Sequence, residues 1–294
     1  MTEAFFVYTI SMRTAYLTNP NGLLAIMELD NNLELAELLG LDLSLTDNLQ
    51  ILEKVHEYLI SLQTQLTGII LDPIYSFHLL GAGQLQKTIC LRLEQDKSVT
   101  DEELPSLFPN FSLEEIKNNY ALVKLALTYN SREELSIAKK QLLSEIRSYS
   151  KSLDIDFLLK LRVPTLTLEN EFDASAQQLE AVQDVRALAD ILVLECPNDP
   201  LAVATISSEL DVPWLVTSGT ELSYDEFKAR FRMAMENGAS GYCLGSLLLA
   251  ELSQFRADDQ TIDLPALKKY IDTVLRDRLI ELNRIASEGM EMRL

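Results

Sequence analysis

The sequence predicts an α/β fold, a (β/α)8 TIM barrel with an N-terminal leader and a C-terminal helical extension. Three observations predict it. Short Val/Ile/Leu runs recur along the chain, each followed by a polar residue or Gly and then by an amphipathic stretch. Such apolar runs suit parallel strands covered on both faces. The pattern Ser-x-x-Glu, a capping box that opens a helix, occurs at 112–115, 131–134 and 223–226, each where the alternation needs a helix. The 294 residues modestly exceed the roughly 250 of one barrel, so 1–294 is expected to be a single domain.

Strand one falls at about 22–30, G-L-L-A-I-M-E-L-D, and ends in Asp30-Asn31-Asn32. Over 47–64, Leu49, Leu52, Val55, Tyr58, Leu59 and Leu62 recur at three- and four-residue spacing, the stripe of a helix lying on a sheet. Strand two is T-G-I-I-L-D-P at 67–73, strand three 89–94, and strand four A-L-V-K-L-A-L-T-Y at 121–129. Strand five is assigned to P-T-L-T-L-E-N-E-F from Pro164, with Asp173 and Ser175 available to cap the helix whose stripe is Leu179, Val182, Val185 and Leu188. Strand six is A-D-I-L-V-L-E-C-P at 189–197, strand seven P-W-L-V-T-S-G ending at Gly219, and strand eight G-Y-C-L-G-S at 241–246. A helix around 248–254 and an amphipathic helix from about Leu264 complete the chain.

Composition narrows the function classes. A formal charge of -20 repels polyanions, which argues against nucleic acid and anionic membrane as partners. No stretch approaches the roughly 18 apolar residues of a membrane span, and the N-terminus lacks the basic region and cleavage site of a signal peptide. A cytoplasmic location is expected. The three cysteines, Cys90, Cys196 and Cys243, are far apart within apolar strand sequence, and the two histidines are not at ligand spacing. Neither a disulfide framework nor a metal or other cofactor is indicated.

Active sites of this fold lie at the C-terminal ends of the strands, which makes Asp30, Asp72, Glu94, Lys124, Glu169, Glu195, Thr217 and Gly245 the candidates. Lys124 is the most informative. A lysine inside an apolar strand must be paired with an acid or held neutral for chemistry, and Glu169 is its expected partner. A structural and a functional ion pair fit that spacing equally. His56 is expected as an exposed or half-buried helix residue and His78 as a packing residue near the rim. Gly81-Ala82-Gly83 lacks the third glycine and the strand-to-helix context of a dinucleotide loop.

Together, L-D-P-I-Y-S (71–76), A-L-V-K-L-A-L-T-Y (121–129), T-L-T-L-E (165–169), D-I-L-V-L-E-C-P (190–197), T-S-G (217–219) and C-L-G-S (243–246) resemble the class I tagatose-bisphosphate aldolases and their sulfofructose-phosphate aldolase relatives. The resemblance runs in order from about Gly22 to Leu252. It implies a Schiff-base barrel that cleaves a ketose phosphate to dihydroxyacetone phosphate and an aldehyde. It also implies roles for Asp30, Lys124 and Glu169 in catalysis and for Asp72, Thr217, Gly219 and Gly245 in substrate binding. Three departures accompany it. The family's D-Q-R-G after strand one is D-N-N-L here, the arginine after Gly245 is Ser246, and the Schiff-base lysine, two residues before Glu195, is Val193.

Valine cannot form an iminium, which leaves two readings. In the first, a non-catalytic descendant binds a sugar phosphate or polyol, or contacts a protein partner. In the second, a lyase acts on a ketose (bis)phosphate with Lys124 as the amine and Glu169 or Asp30 as the acid–base group. No second lysine is expected on the inner face, and the sequence is compatible with a homo-oligomer.

Overall fold

The computed structural model describes residues 17–81, 85–95, 103–164, 171–219, 222–257 and 261–293. Eight parallel strands close a barrel in sequence order: β1 (Leu24–Leu29), β2 (Gly68–Leu71), β3 (Thr88–Arg92), β4 (Leu122–Thr128), β5 (Phe157–Arg162), β6 (Ile191–Glu195), β7 (Trp214–Thr217) and β8 (Gly241–Leu244). The helices are α1 (Asn32–Leu39), α2 (Thr46–Ile60), α3 (His78–Gly81), α4 (Leu113–Asn118), α5 (Ser136–Ser152), α6 (Glu171–Val185), α7 (Pro200–Glu209), α8 (Tyr224–Glu236), α9 (Ser246–Leu249), α10 (Leu264–Tyr270) and α11 (Arg276–Glu291). One π-helical stretch, Ile271–Leu275, joins the last two. Among the described helices none is long and apolar enough to cross a membrane.

Side chains alternate across each strand, and the alternation sorts them into two cores. Outward residues such as Leu125, Leu127, Leu159, Leu194 and Val216 pack under the helices. Inward residues Leu24, Ile26, Ile70, Cys90, Leu122, Leu158, Ile191, Val193, Leu215 and Cys243 fill the barrel, with Leu17 of the leader buried among them. All three cysteines are buried free thiols. Two residues further along the inward rows the chemistry changes to Glu28, Arg92, Lys124, Lys160, Glu195 and Thr217. The barrel thus has an apolar floor and an ionic mouth.

The capping boxes at 112–115 and 223–226 form as expected, with Ser112 and Ser223 each accepting from the backbone N–H of the glutamate three residues on. The one at 131–134 does not form. The Ser131 hydroxyl and the Arg132 guanidinium both bind Glu180 of α6, Glu133 pairs with Lys139, and α5 begins only at Ser136. Strand five is also corrected. The fifth strand is Phe157–Arg162, paired with β4 from Val123↔Phe157 to Thr128↔Arg162, ahead of the stretch from Pro164. Helix α6 starts at Glu171, before Asp173 and Ser175.

Closure depends on the approach of β8 to β1. Gly241 sits at φ +149, and a Cβ there would stand 1.8 Å from the Leu24 carbonyl oxygen. The register pairs the same two residues. Gly241→Ala is therefore expected to lower unfolding stability by at least about 3 kcal/mol, combining backbone strain with a backbone clash. Urea denaturation followed by circular dichroism measures it, and a loss within experimental error would show that β8 can shift away from β1.

Candidate functional site

The mouth is an open cavity of about 490 Å³ lined by acids, cations and backbone turns from β1 and β3 to β8. Two ion-pair systems organise it. Lys124 Nζ of β4 donates to Asp30 Oδ2 at 2.7 Å and to Glu94 Oε1 at 2.5 Å, with the Arg92 guanidinium 4.0 Å from the same Asp30 oxygen. All four residues are buried. The second system joins Lys160 Nζ of β5 to both oxygens of Glu28, each at 2.7 Å. Lys160 remains partly open to the cavity, its side chain 22% exposed.

These pairings set the protonation states. Burial alone would push the Lys124 ammonium toward neutrality, but Asp30 and Glu94 outweigh it and hold the pKa above its ordinary value. Lys160 is treated the same way, burial being overcome chiefly by Glu28. Burial also works against ionised Asp30, yet Lys124 and Arg92 bring that carboxyl below its usual range. At Glu94 burial wins, and the carboxyl is raised. Asp30 is thus the firmly ionised partner of Lys124 and Glu94 the softer acid. Its Oε2 is buried without a hydrogen-bond partner among the described residues.

Of the residues singled out from sequence, Asp30, Glu94, Lys124, Glu195, Thr217, Gly219 and Gly245 meet in this mouth. Asp72 is fully buried and braces the turn after β2: its Oδ1 accepts from the backbone N–H groups of Ile74 and Tyr75 at 2.6 Å. Its Oδ2 accepts from the Asn32 amide. Glu169 lies outside the described residues, as do Ala82 and Gly83. Among the described residues, the Lys124 ammonium is taken by Asp30 and Glu94.

The expectation of a single inward lysine is corrected as well, because Lys160 is a second. The signal was present: L-L-K-L at 158–161 repeats the design of L-V-K-L at 122–125. Placing strand five too late hid it. Val193, register partner of Lys160, is fully buried in the apolar floor.

His56 also departs from expectation. It is fully buried, and its Nε2 donates to Asn32 Oδ1 at 2.6 Å, so Asn32 links His56 to Asp72. His78 is exposed with its ring centroid 5.9 Å from that of His56. Burial, aided by His78, pushes the His56 pKa down to about 3.

No family model and no curated protein matches the chain. Solved structures do. An archaeal fructose 1,6-bisphosphate aldolase superposes with a TM-score of 0.60 at 15% identity, covering 90% of this chain and 99% of that one. A fructose-bisphosphate aldolase from Slackia heliotrinireducens gives 0.65 at 13%, covering 96% and 89%. The YdjI aldolase from Escherichia coli gives 0.52 at 12%, covering 94% and 96%. The chain has an aldolase-like (β/α)8 barrel fold. At such identities the likeness is one of fold, and the chemistry rests on the mouth itself.

Lys124→Met removes one cation from between two buried acids, and a broken buried pair typically costs about 3–5 kcal/mol. The variant is expected to melt well below the wild type, and an unchanged melting temperature would show that the mouth relaxes to admit water. His56 gives a pH signature. Its folded pKa of about 3 lies below the ordinary 6.5, so between these values the unfolded chain binds more protons. Its contribution to stability is present above pH 6.5 and is lost as pH falls through that window, by up to about 1.4 kcal/mol per unit. Urea unfolding of wild type and His56→Gln at pH 7 and pH 5 should show the steeper loss in the wild type. Equal slopes would place a charged His56 in the folded state.

Proposed function

We propose that the protein is a divergent aldolase-like barrel, one domain over 1–294, that binds a small polyhydroxylated molecule in its mouth by non-covalent contacts. The observation that carries this reading is the commitment of both mouth lysines to carboxylates. An iminium needs a neutral amine, and Lys124 and Lys160 are both held above the ordinary lysine pKa. Val193 on β6 offers no amine in their place.

An open, polar cavity of about 490 Å³ favours a ligand over a purely scaffolding role, for which a rim closed by side chains would serve. The acidic chain and Ser246 beside Gly245 weigh against a bisphosphate. Buried free thiols fit a cytoplasmic location. The competing reading is a lyase on a ketose (bis)phosphate, the substrate class of the fructose-bisphosphate aldolases it resembles, with Lys124 as amine and Glu169 or Asp30 as acid–base group. Lys124 bound by two acids counts against it.

The two readings separate in one experiment. Borohydride treatment with dihydroxyacetone phosphate should leave the peptides bearing Lys124 and Lys160 at unchanged mass, and no dihydroxyacetone phosphate should be released from a panel of ketose phosphates. A borohydride-stable adduct on either lysine, lost in the corresponding Lys→Met variant, would return the protein to the working aldolases.

A further inference from the structure

Resting on the reading of the mouth as a non-covalent small-molecule site, we propose that the corner beneath the β7 and β8 turns receives a protonated amine, so that the ligand is an aminopolyol and not a sugar phosphate. In barrels of this architecture the loops after strands seven and eight, with a short extra helix, frequently form a phosphate site from backbone N–H groups and cations. Here the corresponding turns, Gly219, Gly245 and the four-residue α9, are occupied by acids.

Glu195 Oε2 lies 3.2 Å from where a Cβ on Gly219 would stand. Glu28 packs its Cβ 2.9 Å and its Oε2 3.5 Å from the equivalent point on Gly245. The Ser246 hydroxyl, next in sequence, donates to Glu34 Oε2 at 2.9 Å. Three carboxylates therefore stand where an anion would have to enter. Lys160 neutralises Glu28, whereas Glu34 and Glu195 make no ion pair among the described residues. Glu195 ends β6 as an exposed residue of the mouth, and desolvation raises its carboxyl against the pull of Arg162, Lys160 and Arg230.

A second feature points to the rest of the ligand. Glu94 lines the same cavity, is only 6% exposed and keeps its buried Oε2 without a partner among the described residues. A buried carboxyl oxygen left so is costly. A ligand hydroxyl satisfies it whether Glu94 is ionised or protonated, since a hydroxyl both donates and accepts. The complement to the acidic corner in this proposal is an organic cation. An ammonium gives each carboxylate a charge-assisted hydrogen bond, while a phosphate dianion would meet two carboxylates that make no ion pair among the described residues.

Three probes sharing one carbon chain test this: 1-amino-1-deoxysorbitol, sorbitol and sorbitol 6-phosphate, titrated calorimetrically into the purified protein at pH 7 and low salt. The amine is expected to bind about tenfold more tightly than sorbitol, the equivalent of one charge-assisted hydrogen bond, and the phosphate more weakly than either. Glu195→Gln, whose side chain makes no hydrogen bond with a described residue and which circular dichroism should show folded, is expected to abolish most of the amine's advantage. Sorbitol affinity should fall by less than the amine's, and Glu34→Gln should act in the same direction. Equal binding of amine and sorbitol, tighter binding of the phosphate, or an amine advantage that survives both substitutions overturns the inference while leaving the mouth a small-molecule site. Failure of all three probes to bind overturns that wider reading together with this one.

Discussion

The ammonium of Lys124, closed between Asp30 and Glu94, is the interaction on which the upper half of the barrel depends. Taking these ions out of water costs several kcal/mol each, and only short contacts of the kind seen here, 2.7 and 2.5 Å, offset that. The contacts draw together three separate segments, because Asp30 follows β1, Glu94 follows β3 and Lys124 lies within β4. Arg92 adds a second cation beside Asp30, so each charge has an opposite neighbour. A barrel whose inner residues were apolar to the rim would be simpler to stabilise.

Below that layer the floor is packed with aliphatic side chains and two thiols, and the division has chemical consequences. Every floor residue is at most 2% exposed. Val193 belongs to the dry side of this boundary and Lys160, its neighbour across β5 and β6, to the wet side. Burial by itself would lower the pKa of both amines of this barrel, and the carboxylates placed beside them outweigh it. The same contacts favour the protonated form of both amines.

The Asp72–Asn32–His56 chain has a different job. Asn32 opens α1, Asp72 holds the turn after β2, and His56 comes from α2. A neutral imidazole ties the outer helix to the two loops without importing a charge. It supports the mouth from behind, fixing the backbone on either side of Asp30 and leaving the lining to other residues.

The barrel itself was legible in the sequence, because its causes are local. Apolar runs at 24–29, 122–128 and 191–195 had to be buried on both faces, and the boxes at Ser112 and Ser223 carry their own hydrogen-bond partners three residues away. Lys124 was legible as a buried charge for the same reason. Its partners were not: Asp30 and Glu94 stand 94 and 30 residues away, and only the closing of the strands decides which acid arrives. Strand five was missed because Lys160 and Arg162 look like solvent-facing residues until the barrel turns their row inward. The box at Ser131 failed because Glu180, far along the chain, outcompetes the local cap. Sequence by itself determined which residues must be buried and where helices can begin. Tertiary structure alone decided which charges meet, since the energy of an ion pair depends on distance in space and is indifferent to distance along the chain.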